Sequence, residues 1–211
     1  VPEKAKKVIE KFWPGPLTLI FYKKEIVPLG TTGGLNTVAV RMPMDEIALG
    51  LIRAGGGYVS APSANTSGRP SPSTAQHVMD DMDGKIDMII DGGRVEIGVE
   101  STILDMTVDP PMILRPGAIT KEMLEKLIGE VTVDSALLSD SSEEAPKAPG
   151  MKYRHYAPKA QMMIVNGGTQ ETVKAIKQIA YEQERLGYKV GIIATNETLP
   201  LYTRGVVKSI G

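Results

Sequence analysis

The spacing of apolar and polar positions changes repeatedly along the chain, and each change marks an element. "PEKAKKVIEKF" reads as a helix with Pro2 in its first turn, stopped by "WPGP" at Trp13 to Pro16. "LTLIFYK", from Leu17 to Lys23, has the aromatic and branched content of a strand, and "TVAVRMP", from Thr37 to Pro43, is a second strand ended by its proline. "DEIALGLIRAGGG" returns to helical spacing, with Ile47, Leu51 and Ile52 on one face and the glycine run as its cap. "YVSAPSAN" predicts a buried strand that runs into a polar loop. "SPSTAQHVMDDM" then predicts a helix with Pro72 near its first turn and Ser71 or Ser73 as the cap. "KIDMIIDGG" predicts a strand closed by a glycine turn; "STILDMT" and "PMILRPG" are two more, joined through "VDPP". "TKEMLEKLIG" is a capped helix and "EVTV" a further strand.

Composition shifts at Asp134 to Gly150, "DSALLSDSSEEAPKAPG", which is small, acidic and proline-rich, as a linker is. Beyond it "MKYRHYAPKAQMMIV" enters a strand, "TQETVKAIKQIAYEQERLG" is a long helix and "YKVGIIAT" a second strand. That β-α-β order predicts parallel strands in a separate α/β unit. The expected organisation is a domain over residues 1–133, a linker or lid over 134–158, and a partial α/β domain over 159–211. The opening inside a helix and the close at "VVKSIG", which reads as an unfinished strand, raise the expectation of a fragment.

Composition narrows the chemistry. The formal net charge of -1 supplies no global field for nucleic acid, so any anion site is local. With no cysteine there is no disulfide, thiol nucleophile or thiolate metal site, and the two histidines, His77 and His155, make a histidine zinc site improbable. No apolar run approaches the roughly 20 residues that cross a bilayer, and a cytoplasmic protein is expected.

The candidate chemistry sits in "APSANTSGRPSPSTAQHV", Ala61 to Val78, which holds six hydroxyl side chains, one arginine and no carboxylate. Small hydroxyls and glycine let a backbone approach phosphate oxygens, the helix that follows aims free N–H groups at them, and Arg69 adds a charge. A capped surface loop has the same composition. Arg41 and Arg115 each end a strand, where open α/β sheets place ligands, and arginine grips carboxylate or phosphate with a two-pronged fork. Each also suits a rim residue paired with a nearby acid. Ser101 and Thr102 begin a strand and serve equally as capping residues. Asp91 and Glu100 are the acid candidates, but Asp91 before two glycines suits a turn. With no nucleophile or carboxylate pair of its own, the region suits phosphoryl or nucleotidyl transfer, where positioning and charge neutralisation dominate.

Taken together, "KFWPGPLTLI", "VAVRMP", "SAPSANTSGRPSPSTAQHV", "DGG", "GVESTILD" and "ILRPGAIT" resemble the YrdC family, and within it the L-threonylcarbamoyladenylate synthases. "GMKYRHYAPKA" resembles the junction to the extra domain of the longer members. The resemblance implies a YrdC-like twisted mixed α/β sheet, followed by a linker and a partial Rossmann-like α/β domain. It implies a nucleotidyltransferase that condenses L-threonine, bicarbonate and ATP into threonylcarbamoyl-AMP with release of pyrophosphate, for threonylcarbamoyladenosine modification of tRNA. By the same resemblance Arg41, Ala61 and Ser101 bind L-threonine, while Thr37, Ser63, Asn65, Ser71, Arg115 and Tyr156 bind ATP, Tyr156 as part of a lid. No residue is assigned as a catalytic group or a metal ligand, and Mg²⁺ is expected to be held mainly by the ATP phosphates. Partners beyond the substrates are tRNA or tRNA-modification proteins. The family's Lys-x-Arg pair has no match here, so the chain is expected to be inactive alone. An RNA-binding YrdC-like module without nucleotidyl transfer is the alternative; a hydrogenase-maturation carbamoyltransferase would need cysteine-rich zinc segments.

Overall fold

The computed structural model describes residues 1–137 and 160–211, which fall into two units, Val1–Ala157 and Pro158–Gly211. Tyr156, His155 and most of the expected linker lie outside the described residues.

The first unit is built on a mixed five-stranded sheet of order β2-β1-β3-β4-β5. Its strands are β1 (Leu17–Tyr22), β2 (Thr37–Val40), β3 (Thr102–Asp105), β4 (Met112–Arg115) and β5 (Thr132–Val133). β2 runs antiparallel to β1, β3 parallel to β1, β4 antiparallel to β3, and β5 parallel to β4. One end of the sheet therefore gathers the starts of β1 and β3 with the finishes of β2 and β4. Thr18, Arg41, Ser101 and Arg115 all belong to that end.

One face of the sheet is sealed by helices α1 (Glu3–Phe12) and α4 (Lys121–Ile128). Ala5 and Val8 of α1 and Leu124 and Ile128 of α4 pack over Leu17, Leu19, Leu104 and Ile113. Leu17, Leu19 and Leu104 are wholly buried, and the alternation along β1 that puts Leu17 and Leu19 inward is the period-two pattern of a strand. The opposite face carries a smaller cluster of Ile20, Ile103 and Leu114.

Helices α2 (Glu46–Ala54) and α3 (Ala75–Met82) complete the unit. Asp45 caps α2 by accepting from the Ala48 N–H at 2.7 Å. Thr74, rather than Ser71 or Ser73, caps α3, accepting from the His77 N–H at 3.3 Å. Pro72 thus precedes the cap. The four-residue spacing leaves Ser73 to meet the His77 ring instead.

Two expected strands do not form. "YVSAPSAN" and "KIDMIIDGG" are irregular and largely exposed, with Tyr58 at 85% and Met88 at 76% exposure. Neither pairs with a strand of the sheet, and an apolar run without a ladder partner is not held in extended form.

The second unit packs α5 (Thr169–Arg185) against a parallel pair, β6 (Gly191–Ala194) and β7 (Val206–Ser209). Val173 and Ala180 meet Ile192, Ala194 and Tyr202 in its core. The parallel pairing agrees with the α/β expectation, but its second strand comes from "VVKSIG". Residues 160–165, expected as a strand, form none. Among the described residues no helix is long and apolar enough to cross a membrane.

Candidate functional site

Arg115 is the hub of the gathered sheet end. Between the pairs Leu104↔Ile113 and Ile103↔Arg115 the register of β3 and β4 slips, so that β4 accommodates Leu114 as an extra residue. Simple alternation would put Arg115 on the face of Ile113, beneath the helices. The slip brings it onto the face of Ile103 instead, a common use of an irregularity in an antiparallel pair. There its Nε and Nη2 donate to the Ser101 carbonyl at 3.1 and 3.0 Å, and Nη2 also donates to Ser101 Oγ at 3.1 Å. Ser101 Oγ lies 2.7 Å from Thr18 Oγ1 on β1.

Close backbone approach makes this possible. A side chain at Gly117 would collide with the Glu100 carbonyl and the Thr102 amide, so only glycine lets the turn after β4 lie against the start of β3. Buried Thr102 fastens the same turn, donating from Oγ1 to the Ile119 carbonyl at 2.7 Å and accepting from the Ile119 N–H at 3.1 Å.

Glu100 links this end of the sheet to the polar loop. One carboxylate oxygen pairs with Arg115 Nη1 at 2.8 Å and the other accepts from Ser71 Oγ at 2.8 Å. The pair is largely shielded, with both side chains under a quarter exposed. Arg115 is thus both a paired residue and a guanidinium set among hydroxyls.

Arg41 follows β2 at the same end, and a bond from the Gly15 N–H to the Met42 carbonyl ties its neighbour to the start of β1. The residue is exposed as a whole, yet its guanidinium is partly withdrawn from water. That desolvation, and then the Arg115 charge, lower its pKa from the ordinary arginine value. Among the described residues Arg41 has no ion pair. Two cations held near one another, one without a counter-charge, suit an incoming anion.

The first half of the loop is organised from outside. The carboxylate of Asp81 on α3, only 7% exposed, pairs with Arg69 and accepts from the Thr66 N–H at 3.0 Å. Its backbone carbonyl receives Lys85 Nζ at 2.8 Å. Arg69 is therefore engaged by Asp81 and does not add an unpaired charge to the loop. Asn65 closes the turn by donating through Nδ2 to the Thr66 and Arg69 carbonyls at 3.0 and 3.1 Å. Its Oδ1 is shielded and without a partner, a burden of about 1–3 kcal/mol.

The structure thus joins Arg41, Ser71, Ser101 and Arg115 around one end of the sheet. Ala61 and Ser63 lie in the exposed segment before the Asn65 turn, and Thr37 opens β2 at the end remote from Arg41. Asp91 accepts from the Gly93 N–H at 2.8 Å, the turn chemistry its sequence suggested. His77 is exposed on α3. Sequence reasoning missed Asp81 and Thr18. A carboxylate at helical spacing behind a carboxylate-free loop was a signal for the former; nothing local marked the latter.

Comparison with known proteins follows the same lines. The Sua5–YciO–YrdC family model, described as telomere recombination, matches residues 1–117, and the threonylcarbamoyl-AMP synthase C-terminal domain model matches residues 119–210. Threonylcarbamoyl-AMP synthase of Pyrococcus abyssi is 50% identical over 195 residues, covering 92% of this chain and 57% of that protein. The Bacillus subtilis protein of the same name is 48% identical over 211 residues, covering 100% of this chain and 59% of its own length. The crystal structure of P. abyssi Sua5 complexed with L-threonine matches with a TM-score of 0.90 at 48% identity, covering 100% of this chain and 61% of that one. The chain therefore spans about three fifths of the length of these relatives.

Proposed function

Because the chain belongs to the Sua5–YciO–YrdC family, we propose that it serves the formation of threonylcarbamoyl-AMP from L-threonine, bicarbonate and ATP. The reading rests above all on one observation. Strand pairing brings Arg41 and Arg115, distant in sequence, to one end of the sheet, where Arg115 is held by Ser101 and Glu100; burial first, and then the Arg115 charge, lowers the Arg41 pKa. Cations crowded in this way favour an anionic ligand between them.

In this proposal the threonine amine and bicarbonate give a carbamate and water. A carbamate oxygen attacks the α-phosphorus of ATP, the bond to the bridging oxygen breaks, and pyrophosphate leaves with the electron pair. The protein supplies no nucleophile. Arg41 holds the threonine carboxylate, with Ala61 and Ser101 beside the substrate. Arg115, Ser63 and Ser71 face the nucleotide and Asn65 holds the turn beside it through the Thr66 and Arg69 carbonyls, while Thr37, at the other end of β2, is assigned to ATP on the family resemblance alone. Tyr156 is assigned to the nucleotide on the family resemblance alone. Arg115 offsets the charge that grows on the departing oxygen by electrostatic attraction and hydrogen bonding.

Mg²⁺ is proposed to be held mainly by the ATP phosphates, where it would supply neutralisation of their negative charge. Among the described residues no group of three His, Asp or Glu side chains is placed to hold a cation, and Glu100 is committed to Arg115 and Ser71. The product's use in tRNA modification, and a cytoplasmic location, belong to the same proposal.

Release of pyrophosphate by the protein in its natural full length, given ATP and bicarbonate, is expected to require L-threonine. ATP turnover indifferent to threonine overturns the reading.

A further inference from the structure

We propose that Asp81 is the positioning residue of the polar loop: it fixes Thr66 and Arg69, and through them the turn that presents Ser63 and Asn65. This deepens the nucleotidyl-transfer reading and rests on it for the identity of the ligand.

The loop from Ala61 to Thr74 has no carboxylate of its own and forms no regular structure. It is rich in hydroxyls and contains Gly68 at φ 85, so its intrinsic preference for one conformation is weak. One side chain from outside meets it at several points. The nearly buried carboxylate of Asp81 takes the Thr66 N–H on Oδ2 and the Arg69 guanidinium on Oδ1. Thr66 Oγ1 adds a longer contact of 3.4 Å to the Asp81 carbonyl. These contacts span the two ends of the turn that Asn65 closes.

Asn65 Oδ1 is buried and accepts no hydrogen bond from another protein group, so it adds nothing that holds the turn against opening to solvent. Charge-assisted bonds to Asp81 oppose the opening, because releasing them would strand a shielded carboxylate. Helix α3 is itself fixed by the Thr74 cap, so the anchor is attached to a defined element.

Arg69 then acts as a strut between loop and helix. Were it an anion holder, its substitution would affect the ligand directly, whatever stood at position 81. The two roles give different results in a double-mutant cycle.

The experiment uses Asp81→Asn, Arg69→Gln and the double variant in the natural full-length protein. Steady-state kinetics with ATP, threonine and bicarbonate are combined with hydrogen exchange of amides 62–70. Asp81→Asn is expected to raise KM for ATP about tenfold, as loss of one charge-assisted contact does, with kcat and threonine affinity changed less than twofold. Amides 62–70 should exchange faster while those of β1 and β3 do not. Arg69→Gln, at a side chain more than half exposed, should reproduce most of this, and the double variant should be no worse than Asp81→Asn.

Additive losses in the double variant, or an unchanged KM for ATP with Asp81→Asn, overturn the inference. So does a parallel loss of kcat, ATP affinity and threonine affinity with faster exchange throughout, which marks a purely structural role. If the unsubstituted protein releases no threonine-dependent pyrophosphate, the functional reading fails instead. The exchange data still decide whether Asp81 holds the loop.

Discussion

Two regions of the first unit carry similar apolar runs and treat them oppositely. "LTLIFY" at Leu17–Tyr22 is a strand with Leu17 and Leu19 wholly buried, whereas "MII" within "KIDMIIDGG" is coil with Met88 76% and Ile90 54% exposed. Local propensity does not separate them; neighbours do. β1 pairs with β2 on one side and β3 on the other, while residues 86–90 pair with no strand of the sheet. The same contrast runs through the site. Arg41, Ser101 and Arg115 are placed by strand pairing, and Asn65 and Ser71 by carboxylates reaching in from Asp81 and Glu100. A ladder fixes many residues at once; a side-chain anchor fixes one turn.

The sharpest test of that contrast is stability. Leu104→Ala empties a position that is 0% exposed between β1 and the two helices, and should cost about 2–5 kcal/mol. Met88→Ala, an apolar truncation of comparable size in the open region, should stay within about 0.5 kcal/mol. Chemical denaturation of both variants measures the difference. Equal losses would mean that the open segment is packed in solution and that the contrast is false.

Arg115→Ala probes the site end of the ladder. It removes the bonds to Ser101 and leaves the Glu100 carboxylate without this partner in a shielded place. On the proposed function, threonine-dependent pyrophosphate release should fall about 10²–10³-fold, the range seen when one charge-stabilising donor is lost. Arg115→Lys should recover only part, since an ammonium cannot span the Ser101 carbonyl, Ser101 Oγ and Glu100 together. Full activity in the lysine variant would reduce Arg115 to a plain charge and remove the reason for its careful placement.

How far the sequence reveals this arrangement follows from the same physics. Strands with neighbours were legible: β1, β2, β3 and β4 begin and end close to where alternation and prolines put them. "YVSAPSAN" and "KIDMIIDGG" were not, because whether an apolar run is paired is a tertiary fact. Arg41 and Arg115 were legible as strand-end arginines. That Arg115 turns away from the helices was not, since it depends on a register slip between β3 and β4 that no single residue announces. Arg69 shows the reverse error. A lone cation in a neutral loop looks free until the loop meets the helix that follows it, and then it belongs to Asp81.

The smallest expected effect concerns Arg41, and it separates placement for a ligand from placement for stability. Desolvation and the Arg115 charge lower its pKa, so its charged form is disfavoured in the empty folded protein. Arg41→Gln should therefore stabilise the empty protein, though only by a few tenths of a kcal/mol because the side chain is exposed and screened. In a thermal melt that is about 1 °C, and added salt should shrink it. The sign with pH follows from linkage. Between the lowered pKa and the unfolded one, the unfolded chain binds more protons, so this group's contribution rises as pH climbs through that alkaline window. The glutamine variant should lack that component. With threonine present the order should reverse, since the ligand carboxylate supplies the missing counter-charge only when Arg41 is there. A variant less stable than the parent without ligand would mean that Arg41 already has a stabilising partner, and the two-cation account of the site would fall with it.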